Sequence, residues 1–320
     1  MTGGAGYVGS HACKALIRHG LKPVVIDNFA NGHEPAVRWG PLEHTDISDR
    51  RRLGEVIERY KPTAVVHFAA FTYVGESVAD PGKYYRNNVA GTLTLLEAMR
   101  DHGVHKLVFS STAAVYGIPD SVPIPESAPQ RPINPYGTSK LMVEMMLKYF
   151  DTAHGIRSIA LRYFNAASAD PDGEIGELHD PESHLILFAL DAIAGRGPPL
   201  TVFGDDYDTP DGTCIRDYIH VSDLTDAHVL ALKALERGEA RDAYNLGTGK
   251  GASVREVLAA IERATGVAVP QSVGPRRPGD PAVLVSEAQR SASQLDWQPR
   301  LSDLNTIVAT ACAWHRKAHG

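Results

Sequence analysis

Uninterrupted apolar runs recur along the first half of the chain, and segments with helical periodicity lie between them. The runs Val24–Asp27, Thr63–Ala70, His105–Thr112 and Ser158–Phe164 are apolar without alternation. Such runs are typical of strands buried on both faces of a parallel sheet. The alternation of strands and helices predicts an α/β fold with a doubly wound parallel sheet.

The composition changes after Asn165. The stretch AASADPDGEIGELHDPESH is rich in Asp, Gly and Pro, and it predicts a loop that leaves the sheet. Shorter strands and helices follow, together with a rigid basic loop at 275–280. We therefore expect two domains, residues 1–165 and a smaller mixed α/β domain of residues 166–320. We also expect some segments, about 216–248, to pack back on the first domain.

A glycine-rich turn opens the chain. Gly3, Gly6 and Gly9 are spaced G-x-x-G-x-x-G before a helical segment that ends near Gly20. This spacing suits a tight turn, close approach of the backbone to a pyrophosphate and tight packing of the helix on the sheet. Asp27 ends the next strand, where a carboxylate accepts both ribose hydroxyls of NAD and repels a 2′-phosphate. The pattern predicts a Rossmann-type NAD site.

The strand that should precede this turn is very short. Only Met1 and Thr2 stand before Gly3. We therefore expect the first strand to be truncated at the start of this sequence and the sheet to have a gap at its middle.

Charge and composition exclude several classes of function. The chain has 320 residues, 43% hydrophobic residues and a formal net charge of −6. No basic stripe stands out, which argues against nucleic-acid binding. Cys13, Cys214 and Cys312 form neither a disulfide framework nor a metal-binding spacing. No apolar run is long enough to span a membrane and no signal peptide opens the chain, so we expect a cytoplasmic enzyme.

Tyr136 and Lys140 stand four residues apart at the start of a segment with helical periodicity. This spacing places both side chains on nearly the same helix face. A cation about 4 Å from the phenol would favour the phenolate by roughly 4 kcal/mol at an effective dielectric near 20. We therefore expect Lys140 to lower the pKa of Tyr136 and to make it a general acid and base. By itself, this spacing occurs by chance in many helices and does not establish a site.

Polar side chains and arginines complete the candidate chemistry. Ser110, Ser111 and Thr112 cluster at the carboxyl end of a strand, where doubly wound sheets bind ligands. Arg216 and Arg277 lie in loops of the second half, and arginines there suit a diphosphate.

The motifs TGGAGYVG, HFAA, NNVAGT, SSTAAVYG, PYGTSK, RYFN, DGTCIRDYIHV, YNLGTG and RRPGD occur in this order across nearly the whole chain. Together they resemble the extended short-chain dehydrogenase/reductases and, within them, the UDP-glucose 4-epimerases. The resemblance implies Tyr136 as the acid and base on the sugar 4-hydroxyl. It implies that Lys140 holds the nicotinamide ribose and that Thr112 hydrogen-bonds the same sugar hydroxyl.

The resemblance also implies two sets of binding residues. The NAD site would be lined by Gly3, Gly6, Tyr7, Val8, Gly9, Asp27, Asn28, Asp46, Ile47, Phe68, Ala69, Ala70, Asn87, Thr112, Tyr136, Lys140 and Phe164. The UDP-sugar would be held by Thr112, Tyr136, Asn165, His184, Thr201, Val202, Phe203, Arg216, Arg277, Asp280 and Leu284.

The implied reaction is the reversible conversion of UDP-glucose and UDP-galactose through a transient 4-keto sugar. Hydride passes to and from an NAD that stays bound, and the sugar turns in its pocket while UDP remains held. The family also implies a homodimer through the helical face that contains Tyr136. Leu284 stands where members that exclude N-acetylated sugars carry Tyr, so we expect tolerance of UDP-N-acetylhexosamines.

Three alternatives are open at this stage. A 4,6-dehydratase would carry acidic residues just after Thr112, where this chain has Ala113 and Ala114. A UDP-pentose 4-epimerase would use the same residues as a hexose epimerase. A non-catalytic NAD(H)-sensing regulator would not need Thr112, Tyr136 and Lys140 together.

Overall fold

A computed structural model of the protein describes residues 1–179, 182, 184–238, 242–277 and 279–319. Pro278 of the basic loop and residues 180, 181 and 183 of the loop after Asn165 lie outside these ranges. Among the described residues, no helix combines the length and the hydropathy needed to cross a bilayer.

The strands and helices follow the chain in an alternating order. The strands are β1 Val25–Asp27, β2 Leu42–His44, β3 Val65–His67, β4 Lys106–Thr112, β5 Arg157–Tyr163, β6 Asn165–Ala167, β7 Leu200–Phe203, β8 Ile215–Arg216, β9 Tyr218–His220, β10 Ala243–Leu246, β11 Ala252–Ser253, β12 Gln271–Gly274 and β13 Val283–Leu284. The helices are α1 Tyr7–Arg18, α2 Arg50–Tyr60, α3 Val74–Ala79, α4 Pro81–Tyr84, α5 Thr92–Asp101, α6 Pro135–His154, α7 Leu185–Ile193, α8 Val221–Arg237, α9 Val254–Thr265, α10 Gln289–Leu295 and α11 Leu304–His319.

The first residues close the middle of the main sheet. Thr2 lies in parallel register between Ile26 of β1 and His67 of β3. The amide of Thr2 donates to the Val66 carbonyl at 3.1 Å, and the amide of Phe68 donates to the Thr2 carbonyl at 2.9 Å. The prediction of a gap at the middle of the sheet is therefore wrong, because two residues are enough to pair with both neighbouring strands.

The main sheet is parallel and covered by helices on both faces. Its order is β2, β1, the Thr2 position, β3, β4, β5 and β10. Apolar residues of α1 and α8 form one core cluster with one face, and those of α2, α5 and α6 form a second cluster with the other. This arrangement confirms the predicted doubly wound α/β fold, whose ligand sites lie at the carboxyl ends of the strands.

The second half of the chain contributes to both parts of the molecule. β10 pairs with β5 in the main sheet, although it lies far along the chain. β7 pairs with β12, and β8 lies between β11 and β13. The helices α7, α9 and α11 enclose a separate apolar cluster. Leu284 of β13 packs on the apolar cluster that contains Ala113, which directly follows β4 of the main sheet.

The ends of three helical segments are defined by local contacts. Asn87 lies inside a π-helical stretch, Tyr85–Gly91, that joins α4 to α5. The His220 side chain caps α8 by accepting from the Ser222 amide at 3.1 Å. Ser253 caps α9 and forms a capping box with Glu256.

A buried ion pair fixes α6 against β4 and β5. The Arg162 guanidinium donates to both oxygens of Glu144, at 3.0 and 2.5 Å. The two side chains are only 3% and 5% exposed. The hydroxyl of Ser111 donates to the same carboxylate at 2.5 Å. The pair therefore sets the position of the helix relative to the strand that ends at Thr112.

We expect Glu144→Ala to lower the free energy of unfolding by about 3–5 kcal/mol, because it leaves the Arg162 charge buried without its partner. Urea unfolding of the purified protein measures this change. The matched control is Glu55→Ala, which removes a carboxylate paired with Arg51 and Arg52 at the surface. It should cost no more than about 1 kcal/mol. Equal losses in the two variants would contradict the role given to the buried pair.

Candidate active site

The start of α6 is held close to the end of β4. The Asn134 side chain caps the helix by accepting from the Gly137 amide at 2.8 Å. A Cβ on Gly137 would lie 2.6 Å from the Ala114 carbonyl oxygen, so only glycine allows this approach. The close contact brings Tyr136 beside Thr112, as the sequence predicts for residues of one site.

Tyr136 and Thr112 form a hydroxyl pair at the carboxyl edge of the sheet. Burial raises the pKa of Tyr136, and a hydrogen bond with the Thr112 hydroxyl opposes this rise. Thr112 also accepts from the Ala114 amide at 3.1 Å, which fixes its hydroxyl. The expectation that Lys140 lowers the pKa of Tyr136 is therefore wrong, because burial raises this pKa and the opposing contact comes from Thr112.

Lys140 lies deeper in the same site than Tyr136. Its ammonium donates to the Ser110 carbonyl at 2.8 Å and lies 4.9 Å from the centroid of the Phe109 ring. Burial lowers the pKa of Lys140 to about 7, against the opposing charge of Glu144. Lys140 is therefore only partly charged near neutral pH, which weakens the field that it was expected to exert on Tyr136.

The glycine turn has the geometry of a diphosphate site. Gly3 has a φ of +71°, and a Cβ there would lie 2.6 Å from the Ala69 amide nitrogen. A Cβ on Gly9 would lie 2.0 Å from the Gly3 carbonyl oxygen. Helix α1 then starts after Gly6 with no side-chain cap and no acidic residue in its first turn. Its free amides therefore suit the pyrophosphate of a dinucleotide.

The adenosine side of this site contains two carboxylates. Asp27 accepts from the amides of Ala5 and Phe29 at 2.9 and 2.8 Å. Because a carboxylate has about four acceptor sites, Asp27 retains capacity for ribose hydroxyls. Asn28 donates to Asp46 at 2.6 Å, which places these two predicted residues side by side. The residues present thus fit NAD.

The other predicted cofactor residues lie around the same edge. Tyr7 donates through its hydroxyl to the Ser168 carbonyl at 2.7 Å, and the Phe68 ring lies 4.6 Å from that of His228. Asn87 donates to the neighbouring Asn88 side chain at 2.9 Å. Ile47 is buried, and Val8 packs on the apolar core that includes α8. Ala69 and Ala70 follow β3. Phe164 packs on the apolar cluster that contains Ala113, next to Thr112.

The second half brings its arginines to one place. The Arg216 guanidinium donates to Asp280 at 2.5 Å, and that of Arg277 lies 4.1 Å from the centroid of the Phe203 ring. Thr201 and Val202 precede Phe203 in β7, and Leu284 of β13 stands in register with Arg216. Leu284 also packs on the cluster that contains Ala113, directly after Thr112. Leu284 therefore places the strand pair that carries Arg216 next to the segment that follows Thr112.

His184 occupies a second pocket of the same region. A cavity between β6 and α7 is lined by Asn165, Glu177 and His184 among other residues. Burial disfavours the charged imidazole, but the carboxylate of Glu177 outweighs it and raises the pKa of His184 to about 9. In this structure His184 therefore forms an ion pair with Glu177.

Two features of the site were missed in the sequence. Glu144 follows Tyr136 and Lys140 at the same four-residue spacing on α6, and this repeat could have identified it. Glu177 and His179 carry no comparable signal, because they lie in a loop without periodicity.

Comparison with known proteins gives matches over the full chain. Residues 1–247 match the NAD dependent epimerase/dehydratase family. A UDP-glucose 4-epimerase of Rhizobium leguminosarum bv. trifolii is 52% identical over 319 residues, which cover 100% of this chain and 97% of the relative. The crystal structure of UDP-glucose 4-epimerase from Brucella ovis in complex with NAD is 54% identical with a TM-score of 0.96, over 97% of this chain and 96% of the other.

A third relative has a broader substrate description. The UDP-Glc/GlcNAc 4-epimerase from Campylobacter jejuni is 41% identical with a TM-score of 0.86. The alignment covers 99% of this chain and 98% of the other.

Proposed function

The chain belongs to the NAD dependent epimerase/dehydratase family, and from this premise we infer that it interconverts UDP-glucose and UDP-galactose with NAD as cofactor. The observation that carries this inference is the convergence of the Tyr136 and Thr112 hydroxyls beside the glycine turn of a dinucleotide site. We assign the NAD site to residues 1–165 and most of the UDP-sugar site to residues 166–320.

When bound, NAD supplies the acceptor and donor of the hydride at carbon 4 of the sugar. The protein supplies the proton transfer and the orientation. Tyr136 takes the proton of the sugar 4-hydroxyl and returns it after the sugar has turned. Thr112 bonds to the Tyr136 hydroxyl, and this bond favours the phenolate. Lys140 positions the nicotinamide ribose from the carboxyl end of β4.

Remote binding energy holds the sugar nucleotide while its sugar turns. Arg216 and Arg277 offer charged, planar donors that match a diphosphate. Phe203 offers a ring beside Arg277, with Asn165 and Asp280 as polar contacts. Binding energy spent on UDP retains the keto sugar without contacts that prevent its rotation. Dehydration would need an acid just after Thr112, and the alanines there provide none.

We expect the purified protein to convert UDP-galactose into UDP-glucose with no NAD added, because the cofactor remains bound. Tyr136→Phe should lower kcat roughly 10²- to 10⁴-fold, since it removes the only proposed acid and base. Coupled detection of UDP-glucose measures this rate. Tyr149→Phe is the matched control, because Tyr149 lies on the same helix and is 72% exposed. Equal activity of the two variants would contradict the assignment.

We expect Thr112→Val to lower kcat roughly 10- to 100-fold, the value of a hydrogen bond to a charged group. The bond from Thr112 lowers the pKa of Tyr136, so its loss raises that pKa. The acidic limb of the pH–rate profile should therefore move to higher pH. Thr112→Ser keeps the hydroxyl and should keep the limb in place. A limb that does not move in Thr112→Val would argue against the proton path.

The substrate range follows from the size of Leu284. It packs beside Ala113 at the wall of the sugar pocket, where a tyrosine is expected in members that exclude N-acetylated sugars. We propose that the pocket also admits UDP-N-acetylhexosamines. The similarity to a UDP-Glc/GlcNAc 4-epimerase supports this proposal.

Turnover of UDP-N-acetylglucosamine by the unmodified protein is the expected result. Leu284→Tyr should abolish that turnover and keep activity on UDP-galactose, because the larger ring fills the space of the acetamido group. Leu284→Met changes the volume little and serves as the control. Absence of turnover in the unmodified protein would refute the proposal.

We also propose a cytoplasmic homodimer. Met142, Met145 and Tyr149 are exposed at helical spacing on α6, and Leu93 is exposed on the neighbouring α5. A helical pair with an apolar outer face is typical of a subunit interface. The three cysteines are unpaired, which suits a reducing compartment.

We expect Met145→Glu to convert the dimer into a monomer, because it places a charge at the centre of the apolar face. Analytical ultracentrifugation measures the change in mass. Val267→Glu is the control, since Val267 is also exposed but lies just beyond the end of α9. A protein that is monomeric before mutation, or a Met145→Glu variant that stays dimeric, would contradict the proposed interface.

A further inference from the structure

Four potential metal ligands converge in the loop between β6 and α7. Glu177, His179, Glu182 and His184 each offer one ligand atom, and these atoms lie within 4.8 Å of one another. In a tetrahedral zinc site the ligand atoms stand about 3.4 Å apart, so small side-chain movements would complete one. The proposed epimerase reaction does not require these four side chains to lie together.

The fold fixes the backbone that carries these side chains. The Glu177 carbonyl accepts a hydrogen bond from the Trp314 indole at 3.0 Å, and the Leu178 carbonyl accepts one from the His33 ring at 2.8 Å. A Cβ on Gly176 would lie 2.3 Å from the Trp314 ring, so the loop is seated directly on α11. His184 is the residue that precedes α7. The ligands are thus held from both halves of the chain.

The aromatic surroundings orient one of the histidines. The His179 ring meets the rings of Tyr7 and Tyr73 edge-on, at centroid distances of 6.3 and 6.1 Å. Its Nδ1 is buried, lies 2.8 Å from a Glu177 oxygen and lacks a hydrogen bond of acceptable geometry. A buried nitrogen without such a bond is costly, and a cation between it and the carboxylate would satisfy both atoms.

Two other groups of this kind in the described residues already contain a cation. The Lys14 ammonium lies 2.7 Å from each of Asp170, Asp172 and Glu174. The Arg196 guanidinium contacts both the Asp191 carboxylate and the His315 ring. A metal ion would be repelled at either place. In contrast, Glu177 pairs with His179 and His184, and an imidazole nitrogen can bind a metal ion in place of its proton.

We propose that Glu177, His179, Glu182 and His184 form a structural site for one divalent cation of the zinc class. Two imidazole nitrogens and two carboxylate oxygens give a four-ligand set that suits Zn²⁺. Because all four positions come from the protein, the ion has no open position for catalysis. The ion would hold together the loop that precedes α7. It would also bind the imidazole of His184, which the sequence analysis assigned to the substrate.

The test is Zn²⁺ binding by the full chain after treatment with a chelator, followed by calorimetric titration. The unmodified protein should bind one Zn²⁺ at this site, and Co²⁺ in its place should give the visible absorption of a tetrahedral complex. His179→Asn and Glu182→Gln should each weaken Zn²⁺ binding roughly 100-fold or more. His154→Asn removes an exposed histidine of α6 and should leave binding unchanged.

Thermal unfolding distinguishes a metal clamp from a network of ion pairs. Zn²⁺ should raise the Tm of the chelator-treated protein and of His154→Asn, but not that of His179→Asn or Glu182→Gln. Folding of each variant is checked by circular dichroism before titration. The proposal is overturned if the unmodified protein binds no Zn²⁺ at micromolar concentration. It is also overturned if both ligand variants bind Zn²⁺ as the unmodified protein does, or if His319→Asn alone removes the binding.

Discussion

The buried pair of Arg162 and Glu144 is the constraint on which the site depends. It joins the strand β5 to the helix α6, and the hydroxyl of Ser111 ties β4 to the same carboxylate. A charge in this position must keep its partner, because an isolated buried charge is very costly. The helix can therefore neither slide nor rotate without breaking the pair. Tyr136 and Thr112, which come from different elements, keep one relative position as a result.

Burial also sets the electrostatics of the site. It raises the pKa of Tyr136 and lowers that of Lys140 to about 7, so both groups tend toward their neutral forms. In such a low-dielectric pocket, one hydrogen bond or one added charge has a larger effect than it has in water. The hydroxyl of Thr112 is the group in the protein that favours the phenolate. The proposed proton transfer therefore depends on a few short-range contacts more than on the lysine charge that the sequence suggested.

The sequence predicted features that depend on local spacing. The glycine turn, the carboxylate of Asp27 and the pairing of Tyr136 with Lys140 are set by intervals of a few residues along one element. The central position of Thr2 was not predicted, because a two-residue segment has no periodicity and its pairing is with distant strands. The lowered pKa of Lys140 could not be predicted either, because it results from burial, which depends on the whole fold. The cluster around Glu177 was missed for the same reason, because loop geometry brings its members together.

The most direct test of the account is the fate of the hydrogen on carbon 4 of the sugar. UDP-galactose carrying deuterium at that carbon should be incubated with the protein in ordinary water, with no NAD added, and the product analysed by NMR. UDP-glucose should form with the deuterium still on carbon 4, because one site removes the hydride and returns it. Loss of the label to solvent, or absence of UDP-glucose, would contradict the proposed mechanism.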